Sequence, residues 1–549
     1  MSSLSSKYSN PQERRRKLRE RYFIAIVGLL LGISFPPFPF PFTLLIFIAL
    51  IPYISVMEKR EKLHEISKGV YFYAFIFNLI TLYWVGSWQA KADPFLMISG
   101  VVLVFFNPLL FLIPSTLFYI ARKSFNNRIA LILFPFFWIF YEYVYMITDA
   151  SFPWLTLGNG LSKFTTFIQA ADIIGALGLS FVIVCINLFL YKYLQYRVPN
   201  KKRSVQFLIT ALTVFLVLLI YGIIRINTFE LSDKKIKVGI VQPNVDPWEK
   251  WGRTDRITLV KAYLDLSQKT IDEGAKLIIW PETALPVYLY SGSYRKMTDT
   301  IHSFLEKNNV YLLTGMPHIN YYEGKVKKPY DAKFNKYGNY YYATYNSVIM
   351  LAPDNTAIQF YGKSKLVPFG ERVPFVDKLP FLGDWIKWGV GLTGWNVGQD
   401  TTIFKMKNGN DTLKVSGIVC YESIYPYYVD NFVEKGAQFI AVVTNDSWYG
   451  KLSGPYQHKD FAVLRAIENR RSVVRSANGG VSAVIDPLGR IEVETDMLVK
   501  TSFSHDVILQ DDSTIFTKYS MVVPTLAMFI SLWTILFSVF KWLKNKLKV

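Results

Sequence analysis

One cysteine in this sequence stands where a nucleophile could be both held and exposed. Cys420 ends an apolar, β-branched run that begins at Ser416, and Tyr421 and Glu422 follow it directly. The other cysteine of the chain, Cys185, lies within an apolar segment and is predicted to be a buried packing residue. A thiol at a strand end is a candidate for covalent catalysis, and the alternative is a plain buried cysteine.

Two further ionisable residues lie just beyond predicted strands. Glu282 follows the apolar strand 276–280, and Lys363 stands shortly before the run 366–371. A carboxylate, an ammonium and a thiol suffice for acyl transfer, because the thiolate attacks, the carboxylate takes its proton and the ammonium stabilises the oxyanion. Taken alone, Glu282 could be a surface carboxylate. Lys365 is the alternative to Lys363 as the lysine that stabilises the oxyanion.

The region that carries these residues alternates predicted strands and helices. The first predicted strand has apolar residues at alternate positions, which is typical of a strand with one buried face. Strands are predicted at 236–242, 276–280, 310–315, 347–351, 414–420 and 439–444, with a helix near 254–273. This alternation predicts a layered α/β domain.

The rest of the chain is too apolar for an ordinary soluble protein. Of its 549 residues, 51% are hydrophobic and 16% are aromatic. Several apolar segments approach the ~20 residues needed to cross ~30 Å of hydrocarbon. About eight such segments can be drawn, at roughly 22–35, 42–57, 69–88, 95–121, 129–147, 172–191, 205–225 and 519–540. The first two are short, so a re-entrant hairpin is the alternative for them.

The net charge of +20 is distributed as in a membrane protein rather than a nucleic-acid-binding protein. Lysine and arginine cluster after the even-numbered segments and in both tails, which predicts that these parts are cytoplasmic. The long region between the last two segments then lies outside the cytoplasm. The predicted organisation is a tail with seven transmembrane helices at 1–228, an extramembrane catalytic domain at 229–515, and a transmembrane helix with a basic tail at 516–549.

Two features have two interpretations each, and a third has one. Glu142 lies inside an apolar segment, where a carboxylate is either functional or held by neighbouring tyrosines for packing. The stretch 375–398 combines Trp385, Trp388 and Trp395 with glycines, which suits a mobile arm on the lipid interface or rings that pack the domain onto the membrane bundle. The Tyr- and Lys-rich stretch 320–342 is interpreted as an insertion without catalytic importance.

The motifs, in their order along the chain, resemble a known family. The set Trp280–Glu282, Lys363–Glu371 and Cys420–Glu422 resembles the nitrilase superfamily with its Glu-Lys-Cys triad. More specific are the stretches Leu366–Glu371, Thr444–Gly450, Arg465–Arg471 and Arg475–Val481. Together with the membrane segments, they resemble the apolipoprotein N-acyltransferase family of bacterial envelopes over nearly the whole chain. The implied fold is a polytopic helical bundle with an αββα nitrilase-like domain.

The resemblance also implies an activity and a site. Such an enzyme moves a fatty acyl chain from a phospholipid to the amine of a diacylglyceryl-cysteine apolipoprotein, through a thioester on the nucleophile. Glu282 is implied as the general base, Lys363 as the oxyanion partner and Cys420 as the nucleophile. The supporting residues implied are Glu371, Tyr421, Glu422 and Trp251. We expect a monomer in the bacterial inner membrane with a periplasmic catalytic domain, no nucleic-acid partner, and no metal or soluble cofactor.

Two other functions fit parts of the pattern. A membrane-anchored nitrilase-like amidase acting on a small soluble amide would share the triad, but it has no need of so many membrane segments. A transporter or scaffold with a degenerate domain would not require a complete Glu-Lys-Cys set. The metal alternative has little support, because the five histidines are scattered without ligand spacing.

Overall fold

The N-terminal part of the chain is a bundle of apolar helices, which satisfy their own backbone polar groups in hydrocarbon. The computed structural model describes residues 11–252, 255–324, 326–354, 358–379, 381 and 394–547. Side chains of Asp93, Asn126 and Asn200 accept backbone N–H groups and so begin three of the helices. The bounds are α1 Pro11–Ser34, α2 Phe40–Thr43, α3 Ile46–Ala49, α4 Ile51–Lys59, α5 Leu63–Leu82, α6 Pro94–Leu110, α7 Leu112–Ser124, α8 Asn127–Ile147, α9 Ala171–Tyr196 and α10 Lys201–Thr228.

The helices agree with the predicted membrane segments. Within the described residues, 7 stretches are long and apolar enough to cross a membrane, and the last is Ile515–Lys546 near the C-terminus. The first predicted segment corresponds to the shorter apolar helix Arg21–Ser34. The second is the stretch Phe40–Lys59, which is built from three short helices in succession. The prediction of a polytopic helical bundle is therefore confirmed.

The basic loops gather at one end of the bundle. Arg122 donates to the backbone carbonyl of Met57 at 3.0 Å. Lys192 forms an ion pair with Glu58 at 2.8 Å, which joins the C-terminal ends of α9 and α4. The C-terminal helix returns to the same end, where Lys541 contacts the carbonyl at the end of α7. The α/β domain packs on the opposite end of the bundle.

The α/β domain contains two sheets. The first sheet has the order β13-β1-β2-β3-β5-β4 with β6 beside β5, and the second has the order β12-β11-β10-β9-β8-β7. The bounds are β1 Lys235–Gln242, β2 Leu277–Trp280, β3 Tyr311–Tyr322, β4 Lys333–Asn335, β5 Tyr340–Leu351, β6 Gln359–Gly362, β7 Ile403–Asn408, β8 Asp411–Val419, β9 Phe439–Thr444, β10 Val473–Ala477, β11 Ala483–Ile485, β12 Ile491–Glu494 and β13 Thr501–Ile508. The central strands β1–β2–β3 and β8–β9–β10 are parallel.

Helices cover the outer faces of the two sheets. They are α11 Pro247–Lys250, α12 Arg256–Asp272, α13 Arg295–Asn308, α14 Pro426–Glu434 and α15 Ser453–Asn469, and the chain ends with α16 Ile515–Tyr519 and α17 Val522–Lys546. Alternate residues of β2 serve the two faces of its sheet: Leu277 and Ile279 face the second sheet, whereas Ile278 and Trp280 pack under α12 and α13. The result is the predicted αββα arrangement.

Two strands are longer than the sequence predicts. β3 and β5 continue beyond the core as an antiparallel pair in which Tyr322 lies opposite Tyr341. β4 adds a third, short strand at the edge. The Tyr- and Lys-rich stretch 320–342 is therefore an extension of the first sheet. The prediction missed it because aromatic residues pair well across exposed strands without the apolar alternation of a buried one.

Buried polar contacts join the domain to the bundle. Gln457 of α15 accepts from the indole N–H groups of Trp84 and Trp154 at 2.9 and 2.7 Å, and donates to the carbonyl of Pro36 at 2.8 Å. Asp172 of α9 forms a buried ion pair with Arg470 at 2.7 Å. Such contacts fix the orientation of the domain on the bundle, because breaking one would leave a buried polar group unpaired.

Glu142 also has structural partners. One carboxylate oxygen accepts from the indole of Trp138 at 2.9 Å and from the backbone N–H of Leu157 at 2.9 Å. The second contact ties α8 to the loop 151–161 that follows it. The packing interpretation of this carboxylate is favoured, although its partners are an indole and a backbone amide rather than tyrosine hydroxyls.

The stretch interpreted as a mobile arm is only partly described. Trp385 and Trp388 lie outside the described residues. Trp395 is buried, and its ring lies 6.5 Å from that of Tyr288. At this position the ring packs inside the α/β domain, and neither the mobile arm nor packing onto the membrane bundle is tested.

Candidate active site

The structure brings the three predicted catalytic residues together at one edge of the two sheets. Glu282 follows β2, Lys363 follows β6, and Cys420 follows β8. The Nζ of Lys363 lies 3.4 Å from Oε1 of Glu282. The Cys420 thiol lies close enough to the same carboxylate for the two groups to shift each other's pKa. Cys420 has φ of 48°, a left-handed conformation that costs a non-glycine residue energy and is found at functional turns.

The close approach of Glu282 to its neighbouring strand depends on a glycine. A Cβ at Gly315 of β3 would lie 2.6 Å from the Cα of Glu282, so a larger residue would push the carboxylate away. Glu282 is buried, and so is Lys363. The site is therefore rigid and shielded from water, which strengthens its electrostatic interactions.

Glu371 completes a buried ionic group that we call the front cluster: Glu282, Lys363 and Glu371. The Nζ of Lys363 lies 2.8 Å from Oε2 of Glu371. Asn346, in β5, donates through Nδ2 to both carboxylates, at 2.7 Å to Glu282 and 2.8 Å to Glu371. Sequence analysis missed Asn346, although an amide in an otherwise apolar strand was a usable signal.

The charges of the front cluster shift the pKa values of its members and of Cys420. Burial raises the pKa of Glu282, and the positive charge of Lys363 only partly opposes this. Burial disfavours the Lys363 ammonium, but Glu371 and Glu282 outweigh it and hold its pKa above the usual value. Burial and Glu282 raise the pKa of the Cys420 thiol. The resting thiol therefore needs a base to ionise it, and a carboxylate with a raised pKa stands in contact with it.

Lys365 does not take part in the front cluster. Its Nζ lies over the rings of Tyr425 and Tyr428, at 5.6 and 5.9 Å from their centroids. The geometry therefore favours Lys363 over its competitor.

Glu422 positions the loop that carries the lysine. One of its oxygens accepts from the backbone N–H groups of Ser364 and Lys365, at 2.7 and 3.1 Å, and from the hydroxyl of Tyr361 at 2.6 Å. The other accepts from the N–H of Val419 at 2.9 Å. Glu422 thus ties the turn after Cys420 to the residues next to Lys363.

Tyr421 connects the turn at Cys420 to the bundle. Its hydroxyl donates to the carbonyl of Ser151 at 2.7 Å, and its ring stacks on Phe152. The hydroxyls of Ser151 and Tyr425 also hydrogen-bond, at 2.7 Å. The loop after α8 is therefore in direct contact with the turn at Cys420.

Trp251 stands at the end of α11, and its indole N–H is buried without a hydrogen-bond partner. The preceding residue, Lys250, is buried with its Nζ 3.5 Å from the carbonyl of Glu282. Burial lowers the pKa of Lys250 to about 7. Trp251 therefore follows a residue, Lys250, that contacts Glu282 and that sequence analysis did not select.

A second buried group behind Cys420, which we call the rear cluster, consists of Asp446, His458 and Arg475. The Nδ1 of His458 lies 2.9 Å from Asp446, and Arg475 forms an ion pair with the same carboxylate. The Nε2 of His458 lies 3.1 Å from the carbonyl of Cys420. Arg475 and His458 lower the pKa of Asp446 to about 2, although burial opposes them.

Sequence analysis did not assemble the rear cluster. It noted the stretches around Asp446 and Arg475 only as family motifs, and treated His458 as scattered. Potential ligand atoms of Cys420, Asp446 and His458 lie within 4.8 Å of one another. The Arg475 guanidinium already supplies the positive charge at Asp446, so this group does not fit a metal cation.

Two family models match this chain and indicate the class of protein to which it belongs. Residues 237–508 match the family model described as Carbon-nitrogen hydrolase, and residues 27–189 match the model described as Apolipoprotein N-acyltransferase N-terminal domain. An amidase from Nesterenkonia of the nitrilase superfamily has a solved structure that is 15% identical, with a TM-score of 0.34, and the match covers 52% of this chain and 94% of that one.

Two relatives that match this chain over most of their own length show which family within this class it belongs to. The apolipoprotein N-acyltransferase of Chlorobaculum tepidum is 34% identical over 93% of this chain and 95% of its own length. That of Geobacter metallireducens is 29% identical over 92% of each chain. The chain therefore belongs to the apolipoprotein N-acyltransferase family, and the resemblance inferred from its motifs is confirmed.

Proposed function

We propose that this protein transfers a fatty acyl chain from a membrane phospholipid to the N-terminal amine of a diacylglyceryl-cysteine apolipoprotein, the last step of lipoprotein maturation. The observation that carries the proposal is the front cluster beside Cys420, set directly above the loop where the bundle meets the domain. The named relatives and both family models support it.

The first half-reaction forms an acyl-enzyme. The Cys420 thiol gives its proton to Glu282 and attacks the ester carbonyl of the phospholipid. Lys363 stabilises the negative charge on the carbonyl oxygen. The intermediate then breaks its bond to the glycerol oxygen, Glu282 returns the proton to that oxygen, and a lysophospholipid leaves. A thioester on Cys420 remains.

The second half-reaction uses the same groups in the same order. The free amine of the apolipoprotein attacks the thioester, and Glu282 takes a proton from it. The carbon–sulfur bond breaks, Cys420 recovers its proton, and an amide-linked acyl chain leaves with the lipoprotein. Both half-reactions share one base and one oxyanion partner, so a ping-pong mechanism follows.

The supporting residues have positioning roles in this proposal. Glu371 holds Lys363, and Glu422 holds the loop that carries it. Tyr421 aligns the nucleophile with the membrane loop. Trp251 follows Lys250, which contacts the carbonyl of Glu282, and carries a buried indole N–H without a hydrogen-bond partner. The front cluster is complete within one chain, which supports a monomer as the working unit.

We propose that the enzyme lies in the bacterial inner membrane with residues 229–515 in the periplasm. Support comes from the basic loops, which gather at the end of the bundle opposite the domain, as the cytoplasmic side requires. A reporter active only in the periplasm should work when inserted at Gly409, in the exposed turn between β7 and β8, and should be silent when fused after the C-terminal residue. The reverse pattern would refute the orientation.

The amidase alternative is less favoured, because a small soluble amide gives no reason for a nucleophile that is joined to a membrane loop through Tyr421. The two functions differ in what stays on the enzyme. After incubation with labelled phospholipid, mass spectrometry should find the acyl chain as a thioester on Cys420.

The variants Cys420→Ala and Cys185→Ala make this a matched test. Cys420→Ala should lose the labelled adduct, and Cys185→Ala should retain it, because Cys185 lies in α9, away from the front cluster. Transfer by Cys420→Ala at the wild-type rate would refute the covalent mechanism.

A further inference from the structure

The extension of the first sheet makes contact with the loop that carries the front cluster. Asp331 lies in this extension, between β3 and β4, and its carboxylate is buried. The carboxylate accepts from Arg372 Nη1 at 3.2 Å. Arg372 directly follows Glu371, so an ion pair made in the extension acts one residue away from a member of the front cluster.

A short piece of chain, Gly394–Gly398, passes between the extension and the catalytic loop, and we call it the bracing segment. On the extension side, Asp331 accepts from the backbone N–H of Val397 at 3.2 Å, and its own carbonyl accepts from the side chain of Asn396. Lys333 of β4 donates to the carbonyl of Gly394 at 2.7 Å. The extension therefore holds the bracing segment at several points along its length.

On its other side, the bracing segment is bonded to the backbone of the front cluster. The N–H of Gly394 donates to the carbonyl of Glu371 at 2.9 Å, and the N–H of Gly398 donates to the carbonyl of Lys363 at 2.9 Å. A Cβ at Gly398 would lie 1.8 Å from the carbonyl of Gly362, so only glycine permits this approach. One segment thus fixes the backbones of both Lys363 and Glu371.

The same segment also reaches the strand that carries Asn346. Asn396 and Thr344 exchange two hydrogen bonds, one from the backbone N–H of Asn396 at 2.7 Å and one from the N–H of Thr344 to the Asn396 side chain at 2.8 Å. Asn346 lies two residues further along the strand and bridges both carboxylates of the front cluster. The bracing segment is therefore bonded to the backbones of Lys363 and Glu371 and to the strand that carries Asn346. In the front cluster, Glu282 is the member that it does not hold in this way.

We propose that Asp331 is a positioning residue for catalysis, which acts through Arg372 and the bracing segment to hold Lys363 and Glu371 in register with Cys420. The inference rests on the proposed function for its reaction and assigns a role to a stretch that the sequence suggested was an insertion. Its physical basis is that catalytic groups work only within a narrow range of positions, since a displacement of about 1 Å can cost roughly 10²-fold in rate.

The test compares two Asp→Asn variants of the full-length enzyme in detergent or vesicles. Asp331→Asn keeps the size of the side chain and removes its charge. Asp411→Asn, at the exposed first residue of β8, is the matched control. Single-turnover acylation by labelled phospholipid should be roughly 10- to 100-fold slower in Asp331→Asn, with little change in the phospholipid concentration that gives half-maximal rate. The control should match wild type.

A second readout avoids phospholipid altogether. Lys363 lowers the pKa of the Cys420 thiol, so loss of its position should move the pH midpoint of Cys420 alkylation by iodoacetamide upward. The alkylation experiment separates the positioning role of Asp331 from the acyltransferase function. If alkylation of Cys420 shifts as expected but no thioester ever forms, the acyltransferase function is refuted and the positioning role remains.

The double variant Asp331→Asn with Arg372→Gln tests whether Asp331 affects the acylation rate through its ion pair with Arg372. If the two residues act through one ion pair, the double variant should be no slower than the slower single variant. The positioning role is refuted if Asp331→Asn lowers only the melting temperature while acylation and the alkylation midpoint stay at control values. It is also refuted if the two substitutions multiply in their effects on acylation.

Discussion

The front cluster and the rear cluster both lie against Cys420, yet their charges are arranged differently. The front cluster places two carboxylates around one ammonium, and burial raises the pKa of Glu282. The rear cluster places one carboxylate between a guanidinium and a histidine, and the pKa of Asp446 falls to about 2. The first arrangement leaves a carboxylate that binds a proton more readily than an ordinary glutamate, whereas the second keeps its carboxylate ionised.

The two carboxylates Asp446 and Glu282 therefore contribute to stability with opposite signs. A carboxyl whose pKa is lowered on folding stabilises the protein above its unfolded pKa, and this contribution is lost as the pH falls through the folded value. For Asp446 the contribution is about 2 kcal/mol, lost between pH of about 4 and about 2. The raised pKa of Glu282 costs stability at neutral pH instead. We infer that the front cluster serves chemistry and the rear cluster serves the shape of the nucleophile's turn.

The largest expected effect comes from removing the cation of the front cluster. Lys363→Ala should slow single-turnover acylation by about 10²- to 10³-fold, because it takes away the group that stabilises the oxyanion. Lys365→Ala, two residues away and over tyrosine rings, is the control and should change the rate little. If Lys365→Ala were the inactive variant, the assignment of this loop and the role of Glu371 would both fail.

A smaller effect is expected on the pH dependence of acylation, and it should differ between substitutions in the front cluster and in the rear cluster. The reaction needs ionised Glu282, so its rate falls as the pH drops through the raised pKa of that carboxyl. Glu371 raises this pKa, and Glu371→Gln should therefore move the acidic limb of the profile to lower pH. His458→Gln, in the rear cluster, should lower the rate without moving the limb.

The pH profiles of single-turnover acylation for wild type and both variants provide the measurement. A shift of equal size in both variants would show that the two clusters titrate as one unit, and the comparison between them would then be wrong. An unchanged limb in Glu371→Gln would contradict the electrostatic coupling within the front cluster.

Much of the architecture and the main residues of the site could be predicted from the sequence. The lengths of the apolar runs predicted the bundle, and alternating apolar residues predicted the central strands. Glu282 and Cys420 stand at the ends of such strands, whereas the short strand before Lys363, β6, was not predicted. These signals are local, since hydrocarbon thickness and strand periodicity act on short stretches of chain. The assignment of roles to Glu371, Glu422 and Trp251 needed the resemblance to a family.

Only the tertiary structure decided which distant polar groups meet. Asn346 bridges Glu282 across 64 positions of sequence, and His458 reaches the carbonyl of Cys420 across 38. The bracing segment joins the sheet extension to Lys363 and Glu371 through backbone bonds that no side-chain pattern encodes. Local patterns specify which elements form, whereas partners of buried polar groups are chosen by how those elements pack, because each buried donor or acceptor must find whichever partner the packing brings within reach.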